Sequence, residues 1–333
     1  MNANSSGPSG DALASACGAG YRIFDDPRLS AAVTLVGGAN QVTLTGTGDG
    51  FAVADFGAVA FREIGVSASA VHAGDLATTT NAPRPGDTLI GIDSDSRIVA
   101  RALRRARHAG VHTVCLTTRD LTIVDADVIL SVPAPLTDAG MDIAGTVACG
   151  LTLALTAARL EPETTLAGEV GNLEKSVRRV VHDAQPLSTP LTQALAGGPR
   201  LFFSGQGTSS WVAEGLARRL MNGRATSSRA TIVAVAQAEI DEGLWSFAAS
   251  DILIEIDPEQ HPPGPVDRRI PGTPSARPEN SWSLGRRRNQ SSYAIHLPAA
   301  SAAMRSLIAF VALTLLKAQI ASDHPAERDD TNV

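Results

Sequence analysis

Gln41-Val42-Thr43-Leu44-Thr45-Gly46-Thr47-Gly48-Asp49-Gly50-Phe51-Ala52-Val53-Ala54 passes from an apolar, β-branched run through a glycine-rich turn into small apolar residues. The run over 41–45 predicts a strand, and the residues after the turn predict a helix over 51–64. The same passage returns as Ser204-Gly205-Gln206-Gly207-Thr208-Ser209-Ser210-Trp211-Val212-Ala213, again after an apolar run. Two such strand–turn–helix openings, about one α/β domain apart, predict a tandem duplication.

Working outward from the first copy, residues 67–72 and 88–92 predict further strands, the second opened by the turn Pro85-Gly86-Asp87. Residues 97–109 predict an amphipathic helix with Ile98, Ala102, Leu103 and Ala106 on one face, stopped by Gly110. Strands follow at 112–116 and 127–132, and an apolar helix at 140–160 closes the unit. The alternation of apolar strands and helices predicts an α/β fold, with two parallel sheets covered by helices on both faces. Residues 128–133 leading into that helix are echoed by 293–298 leading into 304–320. The domains expected are 21–160 and 199–325, joined by a polar helical connection over 161–198. Residues 1–20, rich in Gly, Ser, Ala and Asn, are expected to form a disordered tail, and 326–333 a second tail. The second copy reads as degenerate, because 258–290 carries Pro258, Pro262, Pro263, Pro265, Pro271, Pro274 and Pro278 among many arginines. A long mobile loop is expected there.

Composition narrows the function classes. The chain has 333 residues, 44% of them hydrophobic and 19% charged, so two buried cores are within reach. A formal net charge of -6 gives no general attraction to nucleic acid or anionic membranes, and 4% aromatics are too few for a base-stacking surface. The apolar stretches 143–158 and 307–320 are short for a membrane span. No signal-peptide pattern precedes them, so a cytoplasmic location is expected. Cys17, Cys115 and Cys149 form no close pair, which excludes a zinc knuckle. Lys175 and Lys317 are the only lysines, which limits Schiff-base chemistry to those two. A dinucleotide fingerprint fails at its third glycine, which is Phe51 in the first copy and Ser210 in the second. No cofactor or metal is expected.

The order and spacing of these pieces resemble the sugar isomerase (SIS) family. They include Gly46-Thr47-Gly48, the strand Gly86-Asp87-Thr88-Leu89-Ile90-Gly91-Ile92, and Gly205-Gln206-Gly207-Thr208-Ser209 followed by Ala213-Glu214-Gly215-Leu216-Ala217. Ala238-Glu239-Ile240-Asp241-Glu242-Gly243 and Asp323-His324-Pro325 complete the set. The layout is similar to the isomerase half of glucosamine-6-phosphate synthase, without its glutaminase domain. The helices at 140–160 and 304–320 carry few charges around their circumference, and that excess of apolar surface predicts a homodimer. The resemblance implies a sugar-like ligand.

It also implies where the site departs from the family. The family's Ser-x-Ser-Gly-x-Thr turn is replaced by Asp93-Ser94-Asp95-Ser96-Arg97-Ile98. Asp93 and Asp95 stand in the serine places, and Asp49 adds a third acid nearby. Three carboxylates would repel a phosphate, leaving a pocket suited to a cationic or hydroxyl-rich ligand. Asp95 or Ser94 also makes a sensible helix N-cap, and Asp49 a turn residue. The second turn offers Ser204, Thr208, Ser209 and Ser210 hydroxyls and backbone approach at Gly205 and Gly207. It is the better anion site, or an ordinary Ser/Thr cap. Glu239 aligns with the family's catalytic glutamate, while Glu242 stands where its histidine would be. Asp330 stands near the place of its imine-forming lysine, and His324 is a substitute acid–base candidate. The function expected is a divergent sugar or amino-sugar isomerase or deaminase with Glu239 as base. The alternative is a non-catalytic SIS-fold sensor or assembly factor.

Overall fold

The computed structural model describes residues 8–76, 82–93, 97–118, 124–132, 143–205, 207–222, 231–241, 244–256, 280–285, 293–299 and 301–323. The chain divides into two compact units. One is Met1–Lys175 with Ala299–Leu307, and the other is Ser176–Pro298 with Ile308–Val333.

The first unit opens with helices α1 (Pro8–Arg22) and α2 (Pro27–Gly37). A parallel sheet follows, of strands β1 (Val42–Gly46), β2 (Ala68–His72), β3 (Thr88–Asp93), β4 (His112–Thr117) and β5 (Val128–Ser131). Its order is β2-β1-β3-β4-β5. Helix α3 (Asp49–Glu63) connects β1 to β2, α4 (Arg97–His108) connects β3 to β4, and α5 (Ile143–Leu160) and α6 (Thr165–Val170) follow β5. Helix α3 packs on β1, β2 and α5, while α4 packs on β3 and β4.

Two expectations are corrected here. The N-terminal segment is not a tail from Pro8 onward: α1 lies along α5 and buries Leu13, Ala16, Cys17 and Ala19. Its alanines are good helix formers, and Leu13 with the small residues supplies the apolar face that the composition concealed. In α4 the buried positions are Val99, Ala102 and Leu103, and Ile98 stands 49% exposed. The apolar stripe is thus rotated from the one expected, because Val99 and Leu103 point at Gly91 of β3, at 2.9 and 2.7 Å from where its Cβ would be.

Residues 299–307 complete this unit. Ser301 caps helix α11 (Ala302–Asp323), accepting from Met304 N at 3.2 Å. Two glutamates from elsewhere in the unit converge on that helix start. Glu63 accepts from Ser301 Oγ at 3.0 Å, Ala302 N at 3.2 Å and Ala303 N at 2.9 Å, and Glu169 accepts from Ser301 N at 3.0 Å. Carboxylates at a helix N-terminus satisfy its orphan donors and complement the positive end of its dipole.

Helix α7 (Leu173–Asp183) spans the division, and α8 (Ser188–Leu195) leads into the second unit's sheet. That sheet holds β6 (Leu201–Gly205), β7 (Ile232–Ala236), β8 (Ile252–Ile256), β9 (Asn280–Gly285) and β10 (Tyr293–His296) in the order β10-β9-β8-β6-β7, all parallel. Counted from its first strand, this is the order of the first sheet. Helix α9 (Ser210–Asn222) packs on β6 and β7, and α10 (Gln237–Asp241) follows β7 directly. Ile240 of α10, with Trp245 and Phe247, covers the sheet face formed by Phe202, Val235 and Leu253. Strand β9 corrects the loop expected over 258–290. Asn280–Gly285 pairs with β8 on one side and β10 on the other, and Trp282 stacks on Tyr293 at 4.2 Å. Residues 257–279 and 286–292 lie outside the described residues.

Candidate functional site

In a sheet of order 2-1-3-4-5 the connections leave the first and third strands in opposite directions, opening a crevice outside their carboxyl ends. Here those ends are β1/β3 in one unit and β6/β8 in the other. The two glycine turns lie there.

In the first unit, the turn after β1 is folded back tightly. A Cβ on Gly46 would stand 2.5 Å from Gly50 O and 2.7 Å from Phe51 N. Gly50 N donates to Thr47 O at 3.0 Å and Phe51 N to Gly48 O at 3.1 Å, so Thr47 and Gly48 lead directly into α3. Asp49 is the first residue of that helix, a place that favours an acid. Phe51 meets His72 edge-on at 5.3 Å, and His72 Nδ1 accepts from Gly74 N at 3.2 Å. A neutral His72 therefore carries its proton on Nε2. Asp93 ends β3 beside Thr117 of β4. Its side chain, and Ser94, Asp95 and Ser96, lie outside the described residues.

The second unit repeats the turn with different chemistry. Gly207 adopts φ +56°, a conformation favourable for glycine, and Ser210 Oγ donates to Gly207 O at 3.0 Å as α9 begins. Ser209 is fully buried, and its Oγ has no hydrogen-bond partner among the described residues. Gln206 and the Thr208 side chain lie outside them.

Beneath this turn runs a polar relay that the sequence reading did not single out. Ser204, Glu255 and Ser283 sit on one rung across β6, β8 and β9, all fully buried. Gln237 connects two of them, donating from Nε2 to Glu255 Oε1 at 3.0 Å and accepting from Ser204 Oγ at 2.8 Å. Glu255 Oε1 accepts from the Gln237 amide nitrogen, which turns the amide oxygen towards Ser204, and the Ser204 hydroxyl donates to it. Ser204 has been expected to donate to an anion; here its proton is committed inside the protein and its oxygen is left to accept. Ser283 Oγ, next to Glu255, has no partner among the described residues.

Glu239 lies on α10 and accepts from Trp245 Nε1 at 2.8 Å through Oε2, leaving Oε1 for other work. Glu242 and His324 lie outside the described residues. All three cysteines are buried, and burial, reinforced by Cys115, pushes the Cys149 thiol up to about 12, which removes it as a nucleophile near neutral pH. Among the described residues no helix is long and apolar enough to cross a membrane.

No protein-family model matches the chain, and no curated protein matches it in sequence. Its fold is the two-sheet α/β architecture of sugar isomerase (SIS) structures. The C-terminal domain of glucosamine-fructose-6-phosphate aminotransferase from Francisella tularensis aligns with TM-score 0.72 and 13% identity, over 97% of this chain and 98% of that one. Tagatose-6-phosphate ketose/aldose isomerase from Escherichia coli aligns with TM-score 0.67 and 15% identity, over 96% and 95%. Glucosamine-6-phosphate deaminase from Thermotoga maritima aligns with TM-score 0.65 and 12% identity, over 95% of each chain. At these identities the likeness is one of fold.

Proposed function

We propose that this chain is a divergent sugar or amino-sugar isomerase or deaminase, a tandem pair of SIS-like domains whose second turn holds the ligand. The observation that carries this reading is Ser209, a fully buried hydroxyl without a described partner, at the start of a helix on a crevice edge. A buried hydroxyl at a helix start, next to the positive end of the helix dipole, favours an anionic or hydroxyl-rich group. Glu239 is the base in this scheme. Its Oε1 takes a proton from one sugar carbon and returns it to the next, while the Trp245 N–H holds Oε2 in place. Glu242 and His324 are the further acid–base candidates. The equal strand order of the two sheets supports the duplication. The Ser204 proton, spent on Gln237, favours a second reading, in which the same turn binds a sugar without turnover.

The experiment is proton–deuterium exchange at the sugar carbon next to the carbonyl, followed by NMR in D2O with glucosamine 6-phosphate and fructose 6-phosphate. Exchange is expected for the native chain and should fall by roughly 100-fold or more in Glu239→Gln. Binding by calorimetry without exchange would select the second reading. Absence of both binding and exchange across sugars, amino sugars and their phosphates would overturn the proposal.

A further inference from the structure

A groove of about 440 Å³ runs along α4 in the first unit, and neither glycine turn lines it. Its length is that of the helix, from Ile98 in the first turn to Ala109 just past the end, or about 16 Å. Ala73, Leu76 and Pro83 form the opposite wall. The floor is apolar: Ala73, Leu76 and Ala102 also belong to the core cluster beneath it. Small side chains at Ala102, Ala106 and Ala109 keep the groove open, and Ile98 leaves 49% of its surface exposed beside it.

Two arginines set its charge. Arg101 and Arg105 both line the groove, one helical turn apart, and neither makes an ion pair among the described residues. Arg107, on another side of α4, contrasts with them, since it pairs with Asp125 and Asp127. Like charges four residues apart destabilise a helix, and an anion held between them removes that repulsion. Asp75, in the opposite segment, is not part of the lining. An apolar floor with two arginines in its lining, in a concavity of small-molecule size, is a recognisable ligand site.

We propose that the α4 groove binds a small amphipathic anion, a carboxylate or phosphate monoester carried on an apolar body. The head lies between the Arg101 and Arg105 guanidinium groups, and the body lies on Ala102, Ala106 and Leu76. The site is independent of the proposed sugar chemistry.

The test is calorimetry on the full chain with decanoate, decyl phosphate and decanol. Both anions are expected to bind and decanol to bind roughly tenfold or more weakly, with affinity for the anions falling as salt rises. Stronger binding of decyl phosphate than of decanoate assigns a phosphate head, and the reverse order a carboxylate head. The double variant Arg101→Gln/Arg105→Gln, which alters only exposed side chains, should weaken both anions by roughly tenfold or more. Ala106→Trp should fill the groove and abolish binding, with circular dichroism verifying the fold. Glu239→Gln should leave anion binding unchanged. Equal binding of decanol and decanoate, an unaffected arginine double variant, or no anion binding below about 1 mM would overturn the site.

Discussion

Alanine at Gly205 should destabilise the protein by about 3 kcal/mol, lowering Tm by roughly 4 °C. The added Cβ would be driven into the Ser209 carbonyl, with the carbonyl carbon at 2.7 Å and Ser210 N at 3.1 Å. These are backbone atoms of the turn that opens α9, so no rotamer change relieves the overlap. Gly46→Ala should behave alike, since Gly50 O and Phe51 N occupy the same space in the first unit. Gly168→Ala in α6 is the control. Nothing lies within 4 Å of its Cβ position, and it should stabilise by about 0.5 kcal/mol. Urea denaturation of the three variants reads these differences. If Gly205→Ala unfolded like the native chain, the tight turn described here would be wrong.

Asp251→Ala is the second large effect, about 3 kcal/mol at neutral pH. Asp251 precedes β8 with a side chain only 2% exposed, and it accepts from Arg200 Nε at 3.1 Å, from Arg200 Nη2 and from Ala248 N at 2.7 Å. Its removal leaves the Arg200 charge and the Ala248 N–H without that acceptor. Arg200 keeps 42% of its side chain in solvent, which places the cost at the low end for a broken buried pair. Burial alone would raise the Asp251 carboxyl, but the bonds from Arg200 and Ala248 outweigh it and hold the group below the usual carboxylate range. A depressed folded pKa stabilises the fold above the unfolded value, near 3.9, and loses that contribution as pH falls through the folded value. The gap between native and variant should therefore be full at pH 7 and shrink below about pH 4. A gap that is constant from pH 7 to pH 2.5 would show that the carboxylate charge plays no part.

The strand–turn–helix openings carried most of the fold because their signals are local. An apolar strand, a turn only glycine can make and a helix of small residues appear together in both copies. Strand β9 and helix α1 escaped for the opposite reason. Strand β9 has only Trp282 and Leu284 as large apolar residues within Asn280–Gly285, and pairing with β8 and β10 makes it a strand. Helix α1 is stabilised by α5, far along the chain. Tertiary partners decide such segments, and neither propensity nor the proline-rich surroundings of β9 reveal them.

The candidate site was legible in its backbone and less so in its side chains. Glycine spacing located the turns, but which hydroxyl donates and which accepts depends on Gln237, just past the end of β7, which bonds Ser204, and on Glu255 of β8, which orients that amide. One signal was present. Glu255 is a lone acid inside Ile252-Leu253-Ile254-Glu255-Ile256, and an acid in a buried strand demands a partner. Gln237, first residue of α10, is that partner.

The closing of the first unit by residues 299–307 sets an order on biosynthesis. The carboxylates of Glu63 and Glu169 receive the start of α11 only after residues 176–298 have been made. At ~5–20 residues per second, that interval is on the order of 10 s. The nascent N-terminal half thus leaves the ribosome missing a piece of itself, and the usual vectorial scheme, first half finished before the second begins, does not apply to this chain.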